Sequence, residues 1–248
     1  MRRVEDLDPL PIDEALPGVL AALERSPNLV LRAPTGAGKT TRIAPALVDH
    51  ELVGGAVLLL EPRRVAARAA ARRIAIERDV ALGGEEVGYH VRFDRKAMPR
   101  TRIVAMTYGI FLRRLQEDPF LDGVDAVVFD EIHERSLDAD LALAMARKIQ
   151  REAREDLRLL AMSATIDAGP LAHFLGAPVV DSRGRSFPVK VRHRPTPGDR
   201  ELDRAVADTV AQVLDETAGD VLVFLPGVAE IRRASAMLAA VAERDRLA

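Results

Sequence analysis

Between Ala33 and Thr40 the chain reads APTGAGKT, with a further hydroxyl at Thr41. Glycine lets the backbone adopt conformations that a side chain obstructs, so successive amide N–H groups can converge on the oxygens of a phosphate. A helix opening at Lys39 adds its positive end at the same point. The spacing is that of a phosphate-binding loop, and it sets Gly36, Ala37, Gly38, Lys39, Thr40 and Thr41 around the phosphates of a nucleotide. Lys39 is expected to reach the β- and γ-phosphates, and Thr40 to offer its hydroxyl to Mg²⁺. Such loops usually begin with glycine; here the small residue Ala33 stands in that place.

A second cluster, VVFDEIHERS from Val127 to Ser136, puts Asp130 and Glu131 at the carboxyl end of an apolar run. In an open α/β sheet that edge is where ligands bind. Phosphoanhydride hydrolysis needs one carboxylate on the metal and another to orient and polarise the attacking water, roles that fall to Asp130 and Glu131 in turn. Two adjacent acids are costly to bury unless a cation and hydrogen bonds share the site, so the pair points to a site and not to a solvated turn. His133, taken alone, reads as a surface histidine.

These groups must be held by regular elements. Short apolar runs alternate with longer helical stretches: Asn28 to Arg32, Ala56 to Glu61, Arg102 to Thr107, Asp125 to Asp130, Leu157 to Ser163 and Ala177 to Asp181 read as strands. Most are apolar on both faces, which predicts an α/β fold with a mostly parallel sheet covered by helices on both sides. The Ala- and Arg-rich stretch after Pro62 and the segment from Asp138 to Asp156 read as surface helices. Near Asp181 to Asp199 glycine, proline and serine accumulate and apolar periodicity lapses, which predicts a boundary. Beyond it a strand (Phe187 to His193), a helix (Leu202 to Thr217), a strand (Asp220 to Pro226) and a last helix are expected.

Composition narrows the class. A formal net charge of −2 excludes a globally basic chain, so any nucleic acid must be held by local cations and oriented amides. The absence of cysteine removes disulfides, thiolate metal sites and cysteine nucleophiles together and suits a reducing compartment. The first residues carry acids and prolines where a signal peptide has an apolar run, and no apolar run approaches the ~20 residues of a membrane span. The expectation is a cytoplasmic protein with no membrane partner.

Six strings, APTGAGKT, LEPRRVAAR, MTYGIFLRR, DEIHERS, MSAT and VLVFLPG, occur in this order and together resemble motifs I, Ia, Ib, II, III and IV of the DEAH-box branch of superfamily 2 helicases. LPIDEALPGVLAAL, VGYHVRFD and GRSFPVKVRH bring the resemblance closest to the bacterial HrpB-like ATP-dependent helicases. The resemblance implies a RecA-like ATP-binding domain over residues 1–181, and over 182–248 a linker and the start of a second RecA-like domain. It implies ATP and Mg²⁺ as cofactors, with Asp130 on the metal and Glu131 as the base. His133, with the turn of Ser163 and Thr165, would couple nucleotide state to strand binding. It further implies a single-stranded nucleic-acid partner, RNA in preference to DNA, contacted by Arg63, Arg64, Thr107, Gly109 and Arg113. Arg73 aligns with a family arginine that stacks on adenine, although a solvated helix face explains it equally. Tyr108 stands where the family has an acidic residue; base stacking and core packing are both open to it.

In this family a second domain supplies arginine fingers from a string of the QRxGRxGR type, and none occurs after Phe224. A truncated motor is expected, weak in hydrolysis and completed by further C-terminal helicase domains. Two alternatives share the phosphate loop: an ATPase that remodels protein partners, which leaves the PRR, MTYG and SAT strings without a purpose, and a nucleotide-gated binding module without turnover.

Overall fold

The computed structural model of the chain describes residues 1–164, 168–182, 189–194 and 202–246. It divides into two compact units, Met1–Ser186 and Phe187–Ala248.

In the first unit the strands are β1 (Asn28–Arg32), β2 (Ala56–Glu61), β3 (Val87–Val91), β4 (Asp94–Lys96), β5 (Ile103–Thr107), β6 (Val124–Phe129), β7 (Arg158–Ser163) and β8 (Val179–Asp181). The helices between them are α1 (Leu16–Arg25), α2 (Lys39–Asp49), α3 (Arg64–Arg78), α4 (Tyr108–Glu117), α5 (Leu137–Glu152) and α6 (Ala168–Leu175). All six strands expected between Asn28 and Asp181 form. The short β3 and β4 were not anticipated, because glycine, histidine and charge interrupt their apolar pattern.

The strands make one sheet in the order β4-β3-β5-β2-β6-β7-β1-β8, parallel throughout except for the antiparallel β3–β4 hairpin. Successive side chains of a strand face opposite ways, and two cores follow from that alternation. Leu29 and Leu31 of β1, Val57 and Leu59 of β2, and Leu160 and Met162 of β7 enter one core with α1, α2 and α3. Val30, Leu58, Leu60, Leu159 and Ala161 enter the other with α4, α5 and α6.

This strand order positions the chemistry. The chain passes from β1 over to β2, runs outward to the edge, returns to β6 and β7, and finishes with β8 on the far side of β1. At a strand spacing of roughly 4.8 Å, the carboxyl ends of β1 and β6 lie about 10 Å apart, with only β7 between them. A loop after β1 and an acid after β6 can therefore meet across the tip of β7.

A buried ion cluster ties the segment before α1 to this sheet. The Arg78 guanidinium, fully buried, donates to Asp49 at 2.8 and 2.9 Å and to Glu86 at 2.8 Å, and the Val4 N–H donates to Asp49 at 2.9 Å. Burial alone disfavours the charged guanidinium, but the Asp49 and Glu86 carboxylates hold its pKa above the ordinary value.

In the second unit α7 (Leu202–Glu216) and α8 (Val228–Arg246) pack together, burying Ala207, Val210 and Ala234. The two strands expected here do not form at the described residues: Val189–Arg194 and Asp220–Pro226 have no strand partner, and Val189, Val191, Leu222 and Phe224 are exposed. A strand exists only as one side of a ladder, and two lone extended segments lack the neighbours that make one stable. Phe187 and Pro188 lie outside the described residues. Among the described residues no helix is long and apolar enough to cross a membrane.

Removing one member of a buried ion pair leaves the others desolvated and uncompensated, at a cost of about 3–5 kcal/mol. Arg78→Ala is expected to lower the unfolding free energy by about that amount. A double variant that replaces both Arg78 and Asp49 with apolar residues should lose less, as measured by urea denaturation of the three chains side by side.

Candidate functional site

After β1 the chain turns through Gly36 at φ +79° and Gly38 at φ +95°, the left-handed region that favours glycine. Gly38 is the N-cap of α2, so Lys39 is its first residue. The segment before α1 braces this turn from outside: the Ile12 N–H donates to the Ala37 carbonyl at 3.0 Å, and a Cβ on Gly38 would come within 2.6 Å of Leu10 Cδ1. Lys39 is 3% exposed and its Nζ donates to the carbonyls of Ala33 at 3.1 Å and Pro34 at 3.4 Å. Thr41 Oγ1 donates to the Gly38 carbonyl at 3.4 Å.

The acid after β6 arrives where the strand order requires. Thr40 Oγ1 donates to Asp130 Oδ2, and the Glu131 N–H donates to Asp130 Oδ1 at 2.9 Å. Glu131, at φ +50°, turns the chain sharply so that its carboxylate stands 3.9 Å from Lys39 Nζ. His133 Nδ1 lies 3.2 Å from Glu131 Oε2, but without hydrogen-bond geometry, so that buried nitrogen has no hydrogen-bond partner. Ser163, buried at the tip of β7, sits between the two: its carbonyl accepts the Ala33 N–H at 3.0 Å. Thr165 lies outside the described residues.

Tyr108 resolves to the core. It is buried, stacks on Phe129 with centroids 6.4 Å apart, and donates its hydroxyl to the Asp130 carbonyl at 2.5 Å. It therefore braces the acidic turn and is not free to stack on a base. Burial and the nearby Asp130 push its pKa up, so the hydroxyl stays protonated and remains a donor.

A third acid completes the cluster. Glu61, the last residue of β2, is 3% exposed and lies next to the Asp130 side chain. Burial first, then the charges of Asp130 and Glu131, raise its pKa to about 9. Asp130 is raised as well, by burial and by Glu131, against the lowering effects of the Thr40 hydrogen bond and the Lys39 charge. The signal for Glu61 was its position beside Pro62 at a strand end, but only the sheet order, which sets β2 next to β6 and three strands from β1, reveals that it lies beside Asp130.

A cavity of about 600 Å³ opens over these groups, lined by Thr35, Thr40, Glu61, Asp130, Glu131 and His133 and, from the N-cap and first ten residues of α3, by Arg63, Ala66, Ala70 and Arg73. The structure thus brings Arg63 and Arg73 to the same cavity. Arg63 pairs with Glu134 at 3.1 Å, and Arg73 with Glu77 at 2.7 Å. Arg64 is exposed on the first turn of α3.

The other strand-contact candidates lie further along the same sheet edge. Thr107 ends β5 level with Glu61, Gly109 is exposed in the first turn of α4, and Arg113 is exposed one turn on. Register sets His90 of β3 opposite Met106, so the β3–β4 turn at Arg92 and Phe93 stands just past Thr107. Phe93 is 90% exposed at φ +65°, with the Arg92 guanidinium 4.7 Å from its ring centre. Arg92, Arg95, Arg113 and Arg114 line one cavity of about 740 Å³ with His90, whose pKa is lowered by burial and then by Arg95, Arg113 and Arg114. Arg92 and Phe93 escaped the sequence reading because a two-residue hairpin turn carries little periodic signal.

A parallel sheet with a glycine turn between β1 and a helix, and an acidic strand end two strands away, defines a P-loop α/β fold of the RecA-like kind. Residues 14–173 match the DEAD/DEAH box helicase family, and the chain belongs to it. It is similar to the ATP-dependent RNA helicase HrpB of Escherichia coli, at 47% identity over 231 residues, and to the ATP-dependent RNA helicase HrpA of the same organism, at 36% over 232. These alignments cover 93% and 91% of this chain but 28% and 18% of those proteins, so the chain spans under a third of the length of either. The crystal structure of the E. coli DEAH/RHA helicase HrpB superposes with a TM-score of 0.86 at 46% identity, over 94% of this chain and 30% of that one.

The Glu61 shift has a measurable consequence. In the folded chain this carboxyl holds its proton to about pH 9, whereas unfolded it ionises near 4.5, so the folded state binds more protons across that window. Stability should therefore fall as pH rises through it. Glu61→Gln, which mimics the protonated form, is expected to stabilise the nucleotide-free chain in EDTA by on the order of a few kcal/mol at pH 8 and to change little at pH 5. Urea denaturation at the two pH values is the check.

Proposed function

We propose that this chain carries the ATP-hydrolysing motor domain of an ATP-dependent helicase that moves along single-stranded nucleic acid, RNA in preference to DNA. The observation that carries this reading is the meeting of Lys39, Thr40, Asp130 and Glu131 across the tip of β7. RNA is preferred because the relatives at 47% and 36% identity are described as RNA helicases. A cytoplasmic setting belongs to the same proposal.

In this reading the amides from Gly36 to Thr41 and the Lys39 ammonium hold the phosphates. Thr40 and Asp130 fit a magnesium ion: they bring a hydroxyl and a carboxylate into contact, hard oxygen donors in the small number that Mg²⁺ takes from protein beside phosphate oxygens. The ion would supply charge neutralisation on the phosphates. Glu131 accepts the proton of the attacking water, with His133 beside it to set its orientation. Ser163, with Thr165, relays the state of the phosphates to the strand-binding edge.

On that edge Arg64, Thr107, Gly109 and Arg113 contact the sugar-phosphate backbone, which gives grip without reading sequence. Arg92 and Phe93 add a cation and an exposed aromatic ring on which a base can stack. Arg63, held by Glu134 in the nucleotide cavity, stands between the two functions. Arginine fingers contribute about 10³- to 10⁵-fold in related phosphoryl transfers, and this sequence has no matching motif after Phe224. The proposal therefore includes slow hydrolysis by these residues alone and completion by further C-terminal helicase domains.

Steady-state ATP hydrolysis and nucleotide binding test the whole reading. Lys39→Ala is expected to weaken ATP binding at least about tenfold, and Glu131→Gln to keep binding while turnover falls roughly 10²-fold or more. Arg113→Ala with Thr107→Ala should leave basal turnover unchanged and weaken stimulation by single-stranded RNA. Turnover indifferent to Glu131→Gln, or ATP binding indifferent to Lys39→Ala, would sink the proposal.

A further inference from the structure

We infer that Glu77 is a positioning residue that aims the Arg73 guanidinium at the base of a bound nucleoside triphosphate, an assignment that rests on the nucleotide site proposed above. Arg73 lines, from the tenth residue of α3, the same cavity that Thr40, Asp130 and Glu131 line. Its side chain is 63% exposed. A long side chain in that setting samples many rotamers and presents its flat face to a base only part of the time.

Glu77 removes that freedom. It lies one helical turn beyond Arg73 and is 9% exposed. Its Oε1 accepts from Arg73 Nε at 2.7 Å, while its Oε2 accepts from Arg42 Nη1 at 2.5 Å. Arg42 is three residues past Lys39 on the phosphate-loop helix, with a side chain 2% exposed. Its Nη2 donates to the Asp8 carbonyl at 2.7 Å, and its Nε stands 3.3 Å from Asp13 Oδ1. One carboxylate is thus bolted through Arg42 to the helix that holds the phosphates, and its second oxygen fixes the plane of Arg73. Because Nε is the atom taken, both Nη groups and both faces of the guanidinium are left for the ligand.

An ordinary i,i+4 pair on a helix surface is too loose to orient anything. Here the carboxylate does not move, because releasing it would strand a buried guanidinium. The ligand class is a planar heteroaromatic base, and the contact is stacking with a cation–π component, which every base offers. Phosphate grip and base contact are consequently built from separate residues on a common frame.

The split can be measured on the whole chain by calorimetric titration with ATP and, separately, with inorganic tripolyphosphate. In Glu77→Gln the amide has one acceptor oxygen for two guanidinium groups, and buried Arg42 retains it, so Arg73 is released. ATP affinity is expected to fall roughly three- to tenfold with tripolyphosphate affinity unchanged. Arg73→Ala should give the same pattern, and the double variant no further loss. Equal losses for both ligands, or ATP binding by Glu77→Gln as tight as wild type while Arg73→Ala is weakened, would overturn the assignment and leave Glu77 as a counter-charge for Arg42. Should Glu77→Gln not fold, Glu77→Asp, which keeps a counter-charge for Arg42 but withdraws the carboxylate from Arg73 by one methylene, is judged by the same split. Binding of both ligands that Lys39→Ala leaves intact would refute the nucleotide site itself, an outcome separate from any failure at Glu77.

Discussion

Three acidic side chains and one ammonium share the desolvated tip of this sheet, and the rest of the first unit serves to keep them there. Glu131 stands 3.9 Å from Lys39, Asp130 lies beside them with Glu61 next to it, and Glu61, Asp130 and Lys39 are almost fully buried. Left to itself such a group would separate into water, since unpaired buried charge is among the most costly features a protein can carry. The cluster holds because its members are attached to the ends of three elements: Glu61 to β2, Asp130 and Glu131 to β6, Lys39 to α2. Those ends are fixed by a parallel ladder and two apolar cores. Excess negative charge is accommodated by proton retention on Glu61 and by donors to Asp130 from Thr40 and from the Glu131 amide. The same excess would attract a divalent cation in the proposed function, so electrostatic frustration of the ligand-free state and affinity for the ligand have a common origin.

The second constraint is where the phosphate loop is braced. Glycine turns are entropically expensive to hold in one conformation. Here the cost is met from outside the loop, by the Ile12 amide on Ala37 and by Leu10 against Gly38. That leading segment is itself pinned through Asp13 to Arg42 and through Val4 to Asp49. The ion pairs run from there to Glu77, Arg78 and Glu86, so α2 and α3 behave as one frame.

Much of this was legible in the chain. APTGAGKT and DEIHERS announce their chemistry because phosphate cradling and carboxylate placement depend on local spacing, which a sequence preserves. Five of the six strands read between Asn28 and Asp181 were legible because burial on both faces writes a continuous apolar run, whereas β8 at the sheet edge is only part-buried and was read from its short Val-Val run alone. What stayed hidden depends on elements far apart in the chain. Glu61 is an unremarked strand-end acid until β2 is seen beside β6. Tyr108 could serve a base or the core until Phe129 is found against its ring. Glu77 looks like any helix-surface acid until Arg42 arrives from another helix. The second unit shows the converse: VLVFLP has the composition of a strand, yet Asp220–Pro226 stays unpaired, because composition proposes an edge and only a neighbour makes it a strand.

The geometry also bears on how the two proposed functions communicate. The proposed nucleotide and strand contacts lie along one edge of one sheet, so the proposal requires no long pathway between them. Arg63 illustrates the economy: its backbone caps the helix whose first turn presents Arg64, while its own guanidinium reaches Glu134, three residues from Glu131. Thr107, level with Glu61 in the ladder, is followed by Tyr108, whose hydroxyl holds the carbonyl of Asp130. In that proposal a strand pulling on the β5–α4 turn would act on the acidic turn through one aromatic side chain, and a change at Asp130 would act back on Thr107 by the same route. Coupling of this kind needs rigid neighbours more than moving parts, and the fully buried Phe129 between them supplies that rigidity.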